Sequence, residues 1–264
     1  MRPDLPRAIA AAGFDDGTQL SIAVADQNGE IFEAVGGEWP DGRPVALTDR
    51  FYLASLAKQM TGAAAALLVC EARLDPNAPL SRYMPDLPGW ANGVTISQLA
   101  HHTGGLPESG TMEDALGSGR WTSEYALAQL RQMPELPHVT GAAHIYSNAG
   151  YILLAEVVAR QAGQSFTAFA KQRLLRPFEL TGIGFASEPG SEPQWERMGP
   201  ILPCSIGDGG VWTTAADFAR WLAMMNRDEL RLANRMTRPG RLSNGSAVDY
   251  GWGIGLRRHS GRSL

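Results

Sequence analysis

A serine and a lysine three residues apart are the side chains in this sequence with the clearest chemical potential. They are Ser55 and Lys58, in the tetrapeptide Ser-Leu-Ala-Lys. On a helix this spacing places both side chains on one face, about one turn apart. A serine hydroxyl becomes a nucleophile when a neighbouring base takes its proton, and an activated lysine amine can be that base. The pair therefore suggests covalent serine chemistry without a histidine triad.

A second polar group of residues is the segment Tyr146-Ser147-Asn148. It supplies another possible base, the tyrosine, and an amide within one short turn. Taken alone, Ser-x-x-Lys is common, and a helix N-terminus followed by a surface-reaching lysine is its ordinary interpretation. An asparagine in a turn often bonds to its own backbone. The two motifs gain meaning because they occur together and within a longer series.

Five segments of that series follow one another along the chain, at residues 51–59, 99–107, 146–151, 207–210 and 250–253. In this order they resemble the serine β-lactamase and penicillin-binding-protein superfamily, from about residue 17 to residue 264. The branch that this sequence resembles contains class C β-lactamases, D-Ala-D-Ala carboxypeptidases, D-aminopeptidases and related esterases. Five ordered motifs make a chance match unexpected.

The resemblance implies a role for each polar residue. Ser55 would be the acylated nucleophile and Lys58 its proton partner, while Asn148 would bond the substrate and hold Lys58. Tyr146 stands where class A enzymes have a serine. Two proton routes stay open: a Tyr146 phenolate stabilised by a cationic Lys58, or a neutral Lys58 base with Tyr146 relaying a proton.

The activity that the resemblance implies is hydrolysis of an ester, amide or β-lactam carbonyl through an acyl-enzyme on Ser55. A small ester or a peptide is favoured over a dedicated β-lactam substrate, and no cofactor is implied. The competing function is a non-catalytic module of the same fold that binds a peptide or cell-wall fragment. Retention of all four polar residues argues against that module.

The superfamily carries a third motif, Lys-Thr-Gly or His-x-Gly, on a strand that faces the nucleophile. His259-Ser260-Gly261 has the right letters, but it follows Arg257 so closely that a hairpin turn at Ser260-Gly261 is the favoured interpretation. We therefore expect the motif strand to lie beyond Leu264, with His259 as the alternative candidate. Because that strand supplies an oxyanion-hole amide, this chain alone would show weak or no turnover.

Composition restricts the possible partners. The chain has 264 residues, 44% of them hydrophobic and 19% charged, with a formal net charge of -4. Without a basic stripe, nucleic acid and anionic membranes are disfavoured, and the longest apolar run, at residues 62–70, is about half a membrane span. We expect a small-molecule or short-peptide substrate and no membrane span. No signal peptide follows Met1, which predicts a cytoplasmic protein, or an exported one if a leader has been removed.

Strand patterns at both ends of the chain, with helices between them, predict an α+β fold. By resemblance this is the β-lactamase/transpeptidase-like architecture: an antiparallel sheet flanked by helices, an inserted helical lobe, and C-terminal strands that would be missing. We expect one domain over residues 1–264. Residues 1–60 and 190–264 would form the sheet lobe, and residues 61–189 the mainly helical lobe.

Several local predictions can be compared with the structure. Asn28-Gly29 predicts a hairpin, residues 51–73 read as one long helix, and residues 250–257 read as a strand. Ser55 near the start of that long helix would benefit from its unpaired amides and dipole. Cys70, in an apolar run, is expected to be a buried thiol. His102 is expected to cap the carbonyls of the helix that precedes it.

Overall fold

A β-hairpin opens the part of the chain that the structure describes. The structure is a computed structural model, and it describes residues 18–26, 28–185, 201–256, 258–259 and 262–263. Strands β1 (Leu20–Ala25) and β2 (Ile31–Gly36) pair antiparallel, and Gly29 between them has φ +85°. The Asp26 carboxylate accepts a hydrogen bond from the Glu30 backbone N–H at 2.8 Å. The hairpin predicted from Asn-Gly is therefore confirmed.

The remaining elements alternate short strands with helices. Up to Gln132 they are β3 (Phe51–Tyr52), α1 (Lys58–Cys70), α2 (Ile96–Ala100), α3 (Thr111–Leu116), β4 (Gly119–Trp121) and α4 (Ser123–Gln132). Up to Thr213 they are α5 (Asn148–Ala162), α6 (Phe166–Ala170), β5 (Gly184–Phe185), β6 (Ile201–Pro203) and β7 (Val211–Thr213). The last are α7 (Ala215–Asn226), α8 (Ala233–Met236), β8 (Gly240–Arg241), β9 (Ala247–Val248), β10 (Arg258–His259) and β11 (Arg262–Ser263).

The described strands form several small sheets. β7 lies between β3 and β5 and is antiparallel to both, with Tyr52 opposite Trp212. β4 and β6 pair in parallel, so the predicted antiparallel arrangement holds for the other pairs only. The β1–β2 hairpin packs against α7. β10 and β11 pair antiparallel with His259 opposite Arg262, in agreement with the predicted hairpin.

The single helix predicted over residues 51–73 is wrong at its N-terminal end. Phe51 and Tyr52 belong to β3, and a 3₁₀ turn over Ala54–Ala57 precedes α1. Ala54 has φ +47°, a left-handed conformation that interrupts a right-handed helix. Pairing with β7 outweighs the helical pattern of these residues, because aromatic side chains fit a strand well.

The strand predicted over residues 250–257 is also wrong for residues 250–256, and Arg257 lies outside the described residues. Only an isolated bridge joins Tyr250 and Gly255, and the chain folds back so that the Gly251 N–H reaches the Ile254 carbonyl at 2.8 Å. Gly253 has φ +81°, which glycine adopts without strain. The Trp252 side chain is buried, and the Trp252 backbone N–H donates to the Met236 carbonyl at 2.9 Å. The turn allows the Trp252 side chain to be buried.

Helices α1 and α5 pack together at the centre of the hydrophobic core. Most residues of both helices are buried, among them a run of alanines at residues 63–66 of α1. Cys70 at the end of α1 is exposed, so the prediction of a buried thiol is wrong, whereas Cys204 is buried. Among the described residues, none of the helices has the length and hydropathy to span a membrane. The division into a sheet lobe and a helical lobe stays a prediction.

Candidate active site

Ser55 is exposed at the 3₁₀ turn that leads into α1, and Lys58 is the first residue of that helix. The predicted spacing brings Lys58 Nζ to 3.2 Å from Ser55 Oγ. The Lys58 side chain is fully buried, so its amine approaches Ser55 from inside the protein. A substrate and a proton acceptor can therefore reach the hydroxyl from opposite sides.

Two further oxygen atoms hold the Lys58 amine. Nζ donates to Asn148 Oδ1 at 2.8 Å and to the Asp208 backbone carbonyl at 2.9 Å. It also lies 4.8 Å from the centroid of the Tyr146 ring and 5.7 Å from that of Tyr151. Carbonyl oxygens and aromatic faces both favour a cation, which offsets the cost of burying this amine.

The Tyr146-Ser147-Asn148 segment forms the turn that begins α5. The Ser147 side chain caps this helix by accepting from the Gly150 N–H at 3.3 Å. Ser109 supports the turn from outside: its N–H donates to the Tyr146 carbonyl at 2.9 Å, and its hydroxyl accepts from the Asn148 N–H at 2.8 Å. The turn thus carries Tyr146 and Asn148 to the same amine.

His102 has a different role from the predicted helix cap. His101 is the residue whose side chain bonds back to the helix, with Nδ1 2.8 Å from the Ser97 carbonyl. His102 has φ +56°, and its Nδ1 accepts from the Ser147 N–H at 3.1 Å. Its ring lies 4.3 Å from the Tyr146 ring. Burial, followed by the charge of Lys58, holds the pKa of His102 well below its usual value, so the ring is neutral.

The Gly207-Asp208-Gly209-Gly210 loop, one of the five motif segments, lies beside Lys58, and its contact with the lysine amine was not predicted. Asp208 supplies its main-chain oxygen to the amine, while its buried carboxylate accepts from Ser205 Oγ at 2.6 Å and Trp121 Nε1 at 3.3 Å. Burial raises the pKa of this carboxyl, and the charge of Lys58 opposes the rise. The glycine-rich composition of residues 207–210 was the signal in the sequence that this backbone approaches another group closely.

Glu113 is the other site residue that the sequence did not indicate. It lies on the short helix α3, where its Oε2 accepts from the Gly110 N–H at 3.0 Å and its Oε1 from Asn148 Nδ2 at 2.8 Å. Glu113 and Ser55 line one cavity of about 380 Å³, and six of its lining residues are Tyr52, Ser55, Glu113, Trp121, Asn148 and Asp208. A small molecule fits this volume.

The structure therefore brings Ser55, Lys58 and Asn148 together, with the Tyr146 ring beside the amine. Their catalytic roles stay predictions. The backbone of His259 lies in β10, and the proposed role of its side chain as the third motif also stays a prediction. Among the residues that the structure describes, His, Cys, Asp and Glu side chains form no cluster of three or more that could hold a metal ion.

Comparison with known proteins defines the class. The family described as Beta-lactamase matches residues 11–263, and the chain belongs to this family. The chain is 28% identical over 226 residues to the D-alanyl-D-alanine-carboxypeptidase/endopeptidase AmpH of Escherichia coli (strain K12), covering 78% of this chain and 56% of the relative. It is 26% identical over 280 residues to Penicillin-binding protein 4* of Bacillus subtilis (strain 168), covering 86% and 59% respectively. The chain thus spans less than two thirds of these relatives.

Solved structures agree with the predicted fold. D-amino acid amidase from Ochrobactrum anthropi SV3, complexed with L-phenylalanine, has a TM-score of 0.79 at 20% identity, covering 99% of this chain and 83% of the amidase. The penicillin binding protein from Bacillus halodurans has a TM-score of 0.73 at 21% identity, covering 100% and 85%. The β-lactamase/transpeptidase-like fold is confirmed.

Proposed function

We propose that the protein is a serine hydrolase that forms an acyl-enzyme on Ser55 and acts on ester, amide or β-lactam carbonyls. The observation that carries this proposal is the buried Lys58 amine, 3.2 Å from Ser55 Oγ and bonded to Asn148 and Asp208. Membership of the beta-lactamase family supports it.

The proposed reaction has two halves. Ser55 Oγ attacks the substrate carbonyl carbon as its proton leaves to the basic group, and the Ser55 backbone N–H stabilises the oxyanion. Collapse breaks the bond to the amine or alcohol, which takes up the proton and departs. Water then attacks the ester on Ser55, releases the carboxylic acid and restores the hydroxyl.

The contacts of Lys58 support a role in the proton transfer. Asn148 Oδ1 and the Asp208 carbonyl can only accept, so they occupy two N–H groups of the amine. The third tetrahedral position faces Ser55 Oγ. A neutral Lys58 would direct its lone pair there, and a cationic Lys58 would stabilise a phenolate on Tyr146, whose ring is 4.8 Å away. Both proton routes fit this geometry.

The names of the relatives favour amide bonds of amino acids or short peptides as substrates. One curated relative is a D-alanyl-D-alanine-carboxypeptidase/endopeptidase, and one structural relative is a D-amino acid amidase. We propose this substrate class ahead of dedicated β-lactam hydrolysis. The cavity volume of about 380 Å³ suits a ligand of one or two residues.

Labelling with a fluorescent phosphonate and a fluorescent penicillin, followed by intact-mass measurement, tests the nucleophile. We expect one adduct on the wild type and none on Ser55→Ala. Ser81→Ala, a serine in a 3₁₀ turn that does not line the cavity, is the matched control and keeps the adduct. Absence of any adduct from both probes on the wild type would contradict the proposal and favour the non-catalytic binding module.

Tyr146→Phe separates the two proton routes. If Tyr146 is the base, the variant loses phosphonate labelling to the level of Ser55→Ala. If Lys58 is the base, the variant keeps Ser55-dependent labelling at a reduced rate. The fraction of protein labelled over time is the measurement, because it reports acylation independently of turnover.

A further inference from the structure

We propose that a second cavity, separate from the one at Ser55, binds a small anion that carries an apolar chain, such as a fatty carboxylate or an alkyl phosphate. Arg50, Lys171 and Arg176 line this basic cavity, whose volume is about 750 Å³. The basic cavity shares none of its described lining residues with the cavity at Ser55. Binding there is therefore a property beyond the proposed hydrolysis and does not depend on acylation of Ser55.

The three cationic side chains of the basic cavity are available to a ligand. Arg50, Lys171 and Arg176 are exposed, and within the described part of the chain their charged groups make no hydrogen bond or ion pair. Arg173, which lies between Lys171 and Arg176, is instead paired with Glu71. Guanidinium groups bind carboxylate and phosphate oxygens through two parallel hydrogen bonds, and an ammonium group adds a third charge. The chemistry of these groups thus favours an anionic head group.

The backbone brings these charges together from two distant parts of the chain. Lys171 opens a single π-helical turn, Lys171–Leu175, and Arg176 begins the 3₁₀ turn that follows it. Such π-helical turns are rare and often occur at functional sites. Arg50 directly precedes β3, and its Nη1 would lie 3.0 Å from a Cβ atom added at Gly184 of β5. The glycine therefore leaves room for the guanidinium group at the cavity wall.

The floor of the basic cavity is apolar. Leu175, Leu180 and Ile183 line it, and all three are buried. A hydrocarbon chain placed over them would leave water, which contributes roughly 0.8 kcal/mol for each buried CH₂ group. Glu179 is the acidic residue among the described lining, so the cationic side chains outnumber it by three to one. An anion with an apolar chain would use both the charges and the floor.

Isothermal titration calorimetry of the wild-type protein tests both features of the ligand. Octyl phosphate and octanoate have the proposed chemistry, octan-1-ol lacks the charge, octylammonium reverses it, and inorganic phosphate lacks the chain. We expect both anions to bind at least about tenfold more tightly than each of these three controls, and the tighter of the two identifies the head group. Absence of binding, or a control that binds as tightly as the two anions, would overturn the inference.

Removing the three charges together locates the binding site. In the variant Arg50→Gln/Lys171→Gln/Arg176→Gln, we expect the affinity for octyl phosphate to fall by about tenfold, since each exposed ion pair contributes up to about fivefold. The matched control makes the same change at three exposed arginines outside the cavity lining, Arg82, Arg231 and Arg238. Equal affinities of the two triple variants would contradict binding in the basic cavity.

Glu179→Gln changes the charge of the basic cavity in the opposite direction. The substitution removes a negative charge from the lining, so we expect the affinity for octyl phosphate to rise by about twofold to fivefold. Damage to the fold would not tighten binding, so this gain separates recognition by charge from a general effect of substitution. Glu33→Gln, at an exposed acid on β2, is the control and leaves the affinity unchanged. An affinity that stays constant or falls in Glu179→Gln would refute the proposal.

Discussion

At the scale of single residues, Lys58 is the group on which the site depends. Removing a lysine ammonium from water costs several kcal/mol. The fully buried Lys58 recovers part of this cost through Asn148 Oδ1 and the Asp208 carbonyl, together with the faces of Tyr146 and Tyr151. These partners also fix where the amine points. A small displacement of the amine would separate it from Ser55.

Asn148→Ala tests that dependence. The change removes one of the two carbonyl oxygens that hold Lys58 Nζ, and we expect the second-order rate constant for phosphonate labelling to fall by about tenfold to a hundredfold. The fraction of protein labelled, measured by fluorescence in samples stopped at successive times, gives this rate constant. Asn92→Ala removes an exposed asparagine that bonds the Gly89 carbonyl, and it should leave the rate unchanged. An unchanged rate in Asn148→Ala would show that Asp208 alone positions the amine.

At the scale of elements, the turn before α5 is held from two sides. The Ser147 N–H donates to His102 Nδ1 at 3.1 Å, and the Ile145 N–H donates to the His102 carbonyl at 2.8 Å. Ser109 bonds the turn on both sides of Ser147. His102 contributes no atom to the cavity, so it is a positioning residue that acts through Tyr146 and Asn148.

Replacing the His102 ring separates positioning from packing. His102→Ala removes the acceptor for the Ser147 N–H, and we expect phosphonate labelling to slow by about tenfold, the effect of one lost buried hydrogen bond. His102→Asn offers an oxygen close to the position of Nδ1 and tolerates positive φ, so it should recover much of the rate. Equal slowing in both variants would contradict the positioning role.

At the scale of the whole molecule, buried histidines couple stability to pH. Burial lowers the pKa of His101 and His102 below the usual value, and partial desolvation lowers the pKa of the more exposed His144. His102 faces Lys58 and the rings of Tyr146, Tyr151, Tyr250 and His144. An unfolded histidine titrates near pH 6.5, so below that pH the unfolded chain binds protons that the folded chain does not. The free energy of unfolding should therefore fall as the pH drops below about 6.5 and be retained above it.

Urea unfolding at pH 7 and pH 5 measures this coupling. A histidine that stays neutral in the folded protein contributes a loss of up to about 2 kcal/mol over that interval. His102→Asn should therefore show a smaller loss of stability between the two pH values than the wild type. His138→Asn, at an exposed histidine, should show the same loss as the wild type. An identical loss in His102→Asn would contradict the contribution of His102.

Local patterns predicted the parts of the site that lie close together in the chain. Ser55 and Lys58 are separated by one turn, so their spacing in the chain was enough to predict that their side chains approach each other. The strand at residues 250–257 and the start of the helix at 51–73 were predicted wrongly, because pairing with β7 and burial of Trp252 outweighed local preferences. Glu113 lies in a segment without a motif, so no local signal marked it.

The sequence by itself determined the family and the candidates for the nucleophile and its proton partner, because these depend on residue types at fixed spacings. The family resemblance also implied that Asn148 holds Lys58, but only the tertiary structure decided the geometry of this contact and the other partners of the amine. Asn148 and Asp208 lie far from Lys58 in the chain, and packing of α5 against α1 brings Asn148 to the amine, where the loop before β7 also presents the Asp208 carbonyl. Contacts of this kind depend on how elements pack, which no spacing in the sequence records. The same packing places Glu113 beside Asn148.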